Sequence, residues 1–210
     1  RRFGLTVGPL QYWWSRQATW AFYADVADSA ADTVVLGEVV CSRRHELKQS
    51  DWLDIARMLR DAGKQAVMST MVLLESTSDV ADMHKIVRDE EFLIEANDMG
   101  AVHNLAGKRP FVAGPQLNVF NADTLAWMAG LGASRWVMPL EMKRSDLATL
   151  LQTRPAGLET EVFAYGRMPL AFSARCFTAR HFNLQKDDCQ FKCLDFPDGL
   201  LIRTREGEEF

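Results

Sequence analysis

The chain lacks any apolar run that approaches the roughly 20 residues of a membrane-spanning helix. It also lacks a strong excess of one charge, because 24 Lys and Arg residues face 28 Asp and Glu residues. No basic field therefore favours nucleic acid as a partner. No Gly/Ser linker, low-complexity segment or coiled-coil heptad divides the sequence. We expect one domain over residues 1–210, without a transmembrane segment and in the cytoplasm.

Familiar catalytic patterns are missing as well. No Ser-His-Asp constellation and no His-Glu-x-x-His zinc motif is legible, and the glycines match no phosphate-binding fingerprint. A hydrolase would need a nucleophile paired with a base, and the sequence shows no such pair. The sequence therefore gives no catalytic residue.

Cysteine is scarce, and its four copies form the most informative pattern in the chain. One lies early, at Cys41, and the others lie late, at Cys176, Cys189 and Cys193. Four thiolates are the number that closes one tetrahedral metal site or holds one iron–sulfur cluster. Basic residues crowd the late segment and would offset the thiolate charges: Arg175, Arg180, Lys186 and Lys192.

The four cysteines have three interpretations. They form one metal centre, they are inert buried thiols, or they pair as disulfides. The polar surroundings of Cys189 and Cys193 favour the metal centre, because Lys-Asp-Asp-Cys-Gln-Phe-Lys-Cys is no core strand. The net charge of the site, four thiolates plus the metal centre, is the same for zinc and for a 4Fe–4S cluster, so charge does not distinguish the two. Spacing favours the larger cluster slightly, because zinc sites usually draw on two close cysteine pairs and only one is present.

Strand and helix patterns alternate at intervals of about thirty residues, which predicts parallel strands joined by crossover helices. We expect strands at 3–7, 33–36, 65–70, 101–104, 111–113, 136–138 and 161–165, with helices near 15–29, 51–62, 78–97, 121–130 and 145–152. The helical stretch over 78–97 is expected to break near Asp89. The number of units predicts an α/β fold of the (β/α) barrel type, incomplete, followed by a Cys-rich C-terminal loop region. Residues 200–210 read as a strand, a turn and the start of another strand, so we expect a truncated C-terminus.

Chemistry in such barrels collects where the strands end. Four polar residues near these ends are candidates for substrate contact: Glu38, Arg43, Asn118 and Glu141. Glu38 and Glu141 could act as acid and base, although a capping or salt-bridged carboxylate is the plainer interpretation. His103 follows a predicted strand, where a buried structural histidine is the plainer interpretation.

Three segments resemble the U32 peptidase family. They are Gly37-Glu38-Val39-Val40-Cys41-Ser42-Arg43-Arg44, the stretch 111–122 with Gly-Pro-Gln-Leu-Asn at its centre, and the stretch 168–180 that contains Cys176. More narrowly, they are similar to the branch of that family that works in oxygen-independent ubiquinone biosynthesis. The family pattern Glu-x-Phe-x-x-Gly is present from Glu161 to Gly166, but Pro169 stands where many relatives have Cys.

The resemblance implies a β/α-barrel-like fold that carries a 4Fe–4S cluster on Cys41, Cys176, Cys189 and Cys193. It implies a heterodimer with a paralogue, a lipid-binding accessory protein, a ubiquinone precursor as substrate and prephenate as oxygen donor. The reaction would be ring hydroxylation without O₂. A zinc-stabilised scaffold without catalysis and a hydrolase in line with the family name are the alternatives.

Overall fold

The computed structural model describes residues 3–209 and shows an α/β fold. Seven parallel strands follow one another in the sheet in chain order and curl into a half-barrel. The strands are β1 (Thr6–Val7), β2 (Thr33–Leu36), β3 (Gln65–Ser69), β4 (Leu93–Ala96), β5 (Phe111–Ala113), β6 (Ala133–Val137) and β7 (Glu159–Glu161). The helices are α1 (Arg16–Ala27), α2 (Gln49–Asp61), α3 (Thr77–Arg88), α4 (Met99–Leu105), α5 (Ala122–Leu131), α6 (Arg144–Gln152) and α7 (Phe177–His181). The expected incomplete barrel is confirmed.

The two faces of the sheet bury different residues, because successive side chains of a strand point to opposite sides. Val34 and Leu36 join the large core between the strands and the helices. Val35 instead packs with Val67 and Val112 in a separate small cluster on the inner side of the curl. Both faces of the central strands are therefore covered, as is usual for parallel sheets.

Local capping fixes where the helices begin. The side chains of Ser15, Ser76, Asp98 and Asn121 each accept a backbone N–H from the first turn that follows. Each cap satisfies a donor that the helix itself leaves unpaired. Helix α5 ends at Leu131, and the capping residue Gly132 has a φ of 112°, in the left-handed region that glycine adopts at low cost.

The sequence interpretation was wrong between residues 89 and 105. The expected break near Asp89 is present, because the helix ends at Arg88, but the helix expected to continue to residue 97 is absent and Leu93–Ala96 is a strand. The expected strand at 101–104 is instead part of α4. Leu, Glu and Ala favour a helix in isolation, but pairing with β3 and β5 on both sides overrides that preference.

The last strand is also shifted from its expected place. It covers Glu159–Glu161 rather than 161–165, and it pairs with β6 in parallel. His103 was expected after a strand, but it lies on α4 and is exposed.

Residues 162–209 form an irregular segment, here called the C-terminal segment, that adds one short helix and two 3₁₀ turns. Near its end, an isolated antiparallel bridge joins Arg203 to Glu209, and Thr204 N donates to Glu208 O at 2.7 Å. The predicted turn near residue 205 is therefore present, whereas residues 1, 2 and 210 lie outside the described part of the chain. Within the described part, no helix has the length and apolar character needed to cross a bilayer.

Candidate metal centre

Cys41 lies in a tight loop directly after β2, and Glu38 organises that loop. One carboxylate oxygen of Glu38, Oε1, accepts the backbone N–H groups of Val40 at 2.8 Å and Cys41 at 3.0 Å. Arg44 N closes the turn by donating to Cys41 O at 3.0 Å, and the Arg44 guanidinium lies 3.8 Å from Glu38 Oε1. The side chains of Glu38 and Arg44 thus stabilise the loop that contains Cys41.

The environment of Glu38 is crowded although a quarter of its side-chain surface stays accessible. Burial raises the pKa of Glu38, while Arg44 and the backbone N–H groups of Cys41 and Val40 act in the opposite direction. The adjoining cavity, lined by Glu38, Arg44 and several aromatic residues, measures about 20 Å³. That space suits one water molecule rather than a substrate.

The C-terminal segment docks onto the loops that follow β1, β2 and β3. Arg43 Nη1 donates to Lys186 O at 2.5 Å, although 143 residues separate the two positions. The Arg43 guanidinium also lies over the Phe191 ring at 5.1 Å, and Trp13 meets that ring edge-on at 5.4 Å. Lys186 forms an ion pair with Glu75 in the loop after β3.

A second set of contacts fastens the segment further along the chain. Trp14 Nε1 donates to Pro197 O at 2.9 Å, and Arg167 Nη1 donates to the hydroxyl of Tyr12 at 2.8 Å. Every one of these contacts uses a loop at the carboxyl ends of the strands, which is the edge where barrels place their chemistry. The docking therefore carries the late cysteines to the edge where Cys41 lies.

Each of the three late cysteines lies in or directly beside a short helical turn. Cys176 precedes α7, Cys189 ends the 3₁₀ turn over Lys186–Asp188, and Cys193 lies in the turn over Lys192–Asp195. All four cysteines are free thiols of intermediate burial. The disulfide interpretation is therefore wrong for this structure.

The electrostatics of Cys193 show which groups share its surroundings. Burial raises the pKa of the Cys193 thiol most, Arg44 lowers it, and Cys176 and Cys189 raise it further. The late cysteines thus lie close enough to influence one another, and Arg44 from the Cys41 loop reaches the same place. The Cys41 loop and the C-terminal segment, which are distant in the sequence, therefore meet near Cys193.

The donor chemistry fits a metal centre, whereas the ligand cage is not preassembled. Four free, partly buried thiols with arginines beside them are suitable ligands for zinc or an iron–sulfur cluster. Among residues 3–209, no three Cys, His, Asp or Glu side chains already stand in a metal-binding arrangement. Metal sites commonly gain their final order on binding, because ligation and local folding are coupled.

The remaining predicted site residues are not gathered at one place. Arg43 is used in docking the C-terminal segment, as described above. Asn118 is exposed and adopts a left-handed conformation, with φ of 56°, at the end of the 3₁₀ turn over Pro115–Leu117. Glu141 follows β6 and is exposed. Of the four substrate candidates, Glu38 and Arg43 thus lie in the loop that carries Cys41, whereas Asn118 and Glu141 lie in the loops after β5 and β6.

A cleft of about 550 Å³ opens beside Cys176. Its lining runs from Ala174 to Lys186 and includes Arg175 and Arg180, which are exposed. Their guanidinium groups make this cleft suitable for a small anionic molecule. Three of the four basic residues that the sequence placed around the cysteines, Arg175, Arg180 and Lys186, therefore line this cleft.

The sequence model of the family described as Peptidase family U32 matches residues 19–196. The chain belongs to peptidase family U32. The matched range begins within α1, contains strands β2 to β7 and includes all four cysteines. The U32 resemblance seen in the sequence is thereby confirmed at the level of the family. No solved structure matches the chain.

Sequence reasoning missed one polar group of this U32 chain. Ser69, Glu95 and Asn97 are buried together on the inner side of the half-barrel. Glu95 and Asn97 were hidden inside a predicted helix, where a Glu and an Asn are unremarkable. The Asp98 cap was the sequence feature that could have ended that helix and revealed the strand.

Proposed function

We propose that this U32 protein is of the UbiV type and holds a 4Fe–4S cluster on Cys41, Cys176, Cys189 and Cys193. In that role it supports hydroxylation of the ubiquinone ring without O₂. The cluster would supply redox or oxygen-atom-transfer chemistry. The observation that carries the proposal is the docking of the Cys-rich segment onto the Cys41 loop, through Arg43 and the groups around Cys193.

The chain's own residues account for how such a centre would be held. Glu38 fixes the backbone at Cys41, so that this thiol is presented from a rigid loop. Arg44 brings a positive charge towards Cys193 and thereby favours its thiolate form. The thiolate is the form that binds metal. Both residues would act as supports of the ligands rather than as ligands.

The proposed partners are a UbiU-like paralogue, forming a heterodimer, and a lipid-binding accessory protein, with a ubiquinone precursor as the substrate. Prephenate is the proposed oxygen donor. The cleft beside Cys176 supports an anionic donor, because Arg175 and Arg180 border an opening of about 550 Å³. Ala179, which also lines the cleft, is buried, so this part of the lining is formed by the packed helix α7.

Iron and acid-labile sulfide analysis of anaerobically purified protein tests the cluster. We expect a brown sample with broad near-visible absorption and about four irons and four sulfides for each chain, since four cysteines hold one such cluster. A colourless sample that contains one zinc would contradict the proposal and favour a zinc-stabilised scaffold without catalysis.

A peptide-cleavage assay tests the hydrolase alternative that the family name suggests. We expect no turnover of peptides by the anaerobic protein, because no nucleophile paired with a base was found in the sequence. Turnover that survives both chelation and replacement of the cysteines would assign the protein to hydrolysis instead.

A further inference from the structure

The first part of the C-terminal segment, residues 162–182, is here called the exposed strap. Of its first ten residues, 162–171, all are exposed except Pro169, which is half-buried. The strap has 21 of the 210 residues, yet it contains seven of the 17 large apolar side chains that are exposed in the described chain. These seven are Val162, Phe163, Tyr165, Met168, Leu170, Phe177 and Phe182. Such a concentration of exposed apolar surface indicates contact with a membrane or another protein.

Contacts along its length hold the strap at the carboxyl edge of the sheet. At its start, Met138 N donates to Glu161 O at 2.9 Å, which fixes the end of β7. Arg167 Nη1 then donates to the Tyr12 hydroxyl, in the loop after β1, at 2.8 Å. Farther along, α7 packs through the buried Ala179. The exposed side chains therefore lie on a backbone that is anchored to the half-barrel.

The strap is also the basic part of an acidic chain. It contains three arginines, Arg167, Arg175 and Arg180, and no Asp or Glu, whereas the rest of the chain has the other 21 of the 24 Lys and Arg residues against 28 Asp and Glu residues. All three arginines are exposed. Within the described part of the chain, no carboxylate forms an ion pair with them, and Arg167 donates to uncharged groups. Their positive charge is therefore available to an anionic surface.

This combination of features favours a lipid surface over a folded protein partner. Apolar and aromatic side chains insert at the boundary between headgroups and acyl chains, while arginines are attracted to anionic headgroups. Tyr165, which is 97% exposed, has the apolar ring and polar hydroxyl that suit this boundary. Residues 162–176 contain no helix or strand, so they offer a protein partner neither a helix face nor a strand edge.

We propose that the exposed strap binds the surface of an anionic phospholipid bilayer. The side chains of Tyr165 and Leu170 insert at the boundary between headgroups and acyl chains, and the three arginines lie near the phosphate groups. The attachment is peripheral, because no helix in the described part of the chain can span a bilayer. The inference does not rest on the proposed cluster, since none of the groups involved is a cysteine.

Co-sedimentation of the complete, anaerobically purified protein with vesicles tests the proposal. The probes are vesicles of phosphatidylcholine alone and vesicles that also contain phosphatidylglycerol at about 30%. We expect partition into the anionic vesicles to be at least about tenfold stronger, because each arginine near the surface contributes about fivefold. Raising the salt concentration from about 0.1 M to about 1 M should remove this preference, since the Debye length falls from about 10 Å to about 3 Å.

Leu170→Gln tests the apolar contribution, and Trp127→Gln is its matched control. Leu170 is 64% exposed, and Trp127, which lies on α5 outside the strap, is 53% exposed. We expect about tenfold weaker partition into anionic vesicles in Leu170→Gln, because this variant no longer transfers an apolar side chain out of water. Trp127→Gln should change partition by less than about twofold. Both side chains are exposed, so both variants should keep the unfolding transition of the wild type, measured by circular dichroism.

Arg175→Gln tests the electrostatic contribution, and Arg88→Gln is its matched control. Arg88 is exposed at the end of α3, outside the strap. We expect about fivefold weaker partition into anionic vesicles in Arg175→Gln and less than about twofold change in Arg88→Gln. Partition into neutral vesicles should be the same for both variants, because charge does not contribute there.

Three results would overturn the proposal. Equal partition of the wild type into both kinds of vesicle would remove any role for the arginines. Absence of sedimentation with anionic vesicles would leave the strap as a contact surface for a protein partner. Unchanged partition in Leu170→Gln, or an equal loss in Trp127→Gln, would show that the vesicles bind another face of the molecule.

Discussion

The half-barrel and the C-terminal segment differ in what holds them together. With one exception, Ala179, every fully buried apolar residue of the described chain precedes residue 159. The C-terminal segment instead exposes large apolar side chains, among them Tyr165, Leu170, Phe177 and Leu194. Its anchors are single contacts, such as the hydrogen bond from Arg43 and the ring pair of Trp13 and Phe191. Burial thus stabilises the half-barrel, whereas the segment depends on docking.

This difference explains why a metal centre would matter for one region and not for the other. A segment without its own core cannot offset the conformational entropy of ordering its residues. Four thiolates bound to one inorganic centre would supply that free energy. The half-barrel needs no such support, because its strands are covered on both faces.

The largest effect is expected from Cys189→Ala. Loss of one ligand should abolish iron binding and leave the C-terminal segment open to proteases, because ligation and local order are coupled. The half-barrel should keep its cooperative unfolding, followed by circular dichroism. Iron and sulfide content and limited proteolysis measure the two parts separately.

Gln190→Ala is the control for this change, because Gln190 is exposed and adjoins Cys189 without being a proposed ligand. We expect it to retain full iron content. Full iron and sulfide in Cys189→Ala itself would rule out the proposed ligand set.

A smaller effect is expected at the junction between the two regions, from Glu38→Gln. Glu38 Oε1 accepts two backbone N–H groups of the Cys41 loop, and an amide in its place weakens both bonds. Supporting groups of this kind typically change metal affinity by about 10- to 100-fold when replaced. Competition with a chelator, followed by the near-visible absorption, measures this affinity.

Glu141→Gln is the matched control, because Glu141 was paired with Glu38 in the sequence interpretation but is exposed after β6. It should leave the affinity unchanged. If Glu38→Gln retains wild-type affinity but loses activity, Glu38 contacts substrate and does not support Cys41.

The sequence predicted the regular part of the half-barrel well. The run Thr33–Leu36 is purely apolar after its first residue and stops at Gly37, and the strand has these bounds. Leu93–Ala96 was misassigned because its helix-favouring residues become a strand through pairing with β3 and β5. Such pairing joins residues that are distant in the chain, and local patterns do not contain it.

The cysteines of the candidate site could be identified from the sequence, whereas the contacts that hold the C-terminal segment beside the Cys41 loop could not. Four scarce cysteines in a polar, basic setting indicated a shared centre from composition alone. The contact of Arg43 with the Lys186 carbonyl spans 143 residues and has no counterpart in local sequence. Likewise, the meeting of Glu95 with Ser69 follows from strand order in the curled sheet.

The smallest effect is expected inside the half-barrel, from Glu95→Gln on the pH dependence of unfolding. The folded-state pKa of Glu95 is raised, so the folded protein binds a proton more tightly than the unfolded chain does. Its contribution to stability is therefore complete below the ordinary pKa of about 4.5 and is lost as pH rises through the folded-state value. Denaturant titrations from pH 4 upward measure the free energy of unfolding, which should fall as the pH rises through the folded-state pKa of Glu95. In Glu95→Gln this fall should be less steep, by up to about 1.4 kcal/mol per pH unit.

Glu91→Gln should change the acid limb of the plot of unfolding free energy against pH, below about pH 4.5. Glu95→Gln should change the upper limb of that plot, above about pH 4.5. The surface pairs with Arg57 and Arg60 lower the pKa of Glu91 to about 2, so its contribution is present above about pH 4.5 and is lost as the pH falls towards 2. Replacing Glu91 should thus flatten the acid limb and leave the upper limb as it is. If Glu95→Gln instead leaves the upper limb unchanged, the carboxyl of Glu95 is hydrated in solution, and the interior of the half-barrel is as open to water as the C-terminal segment.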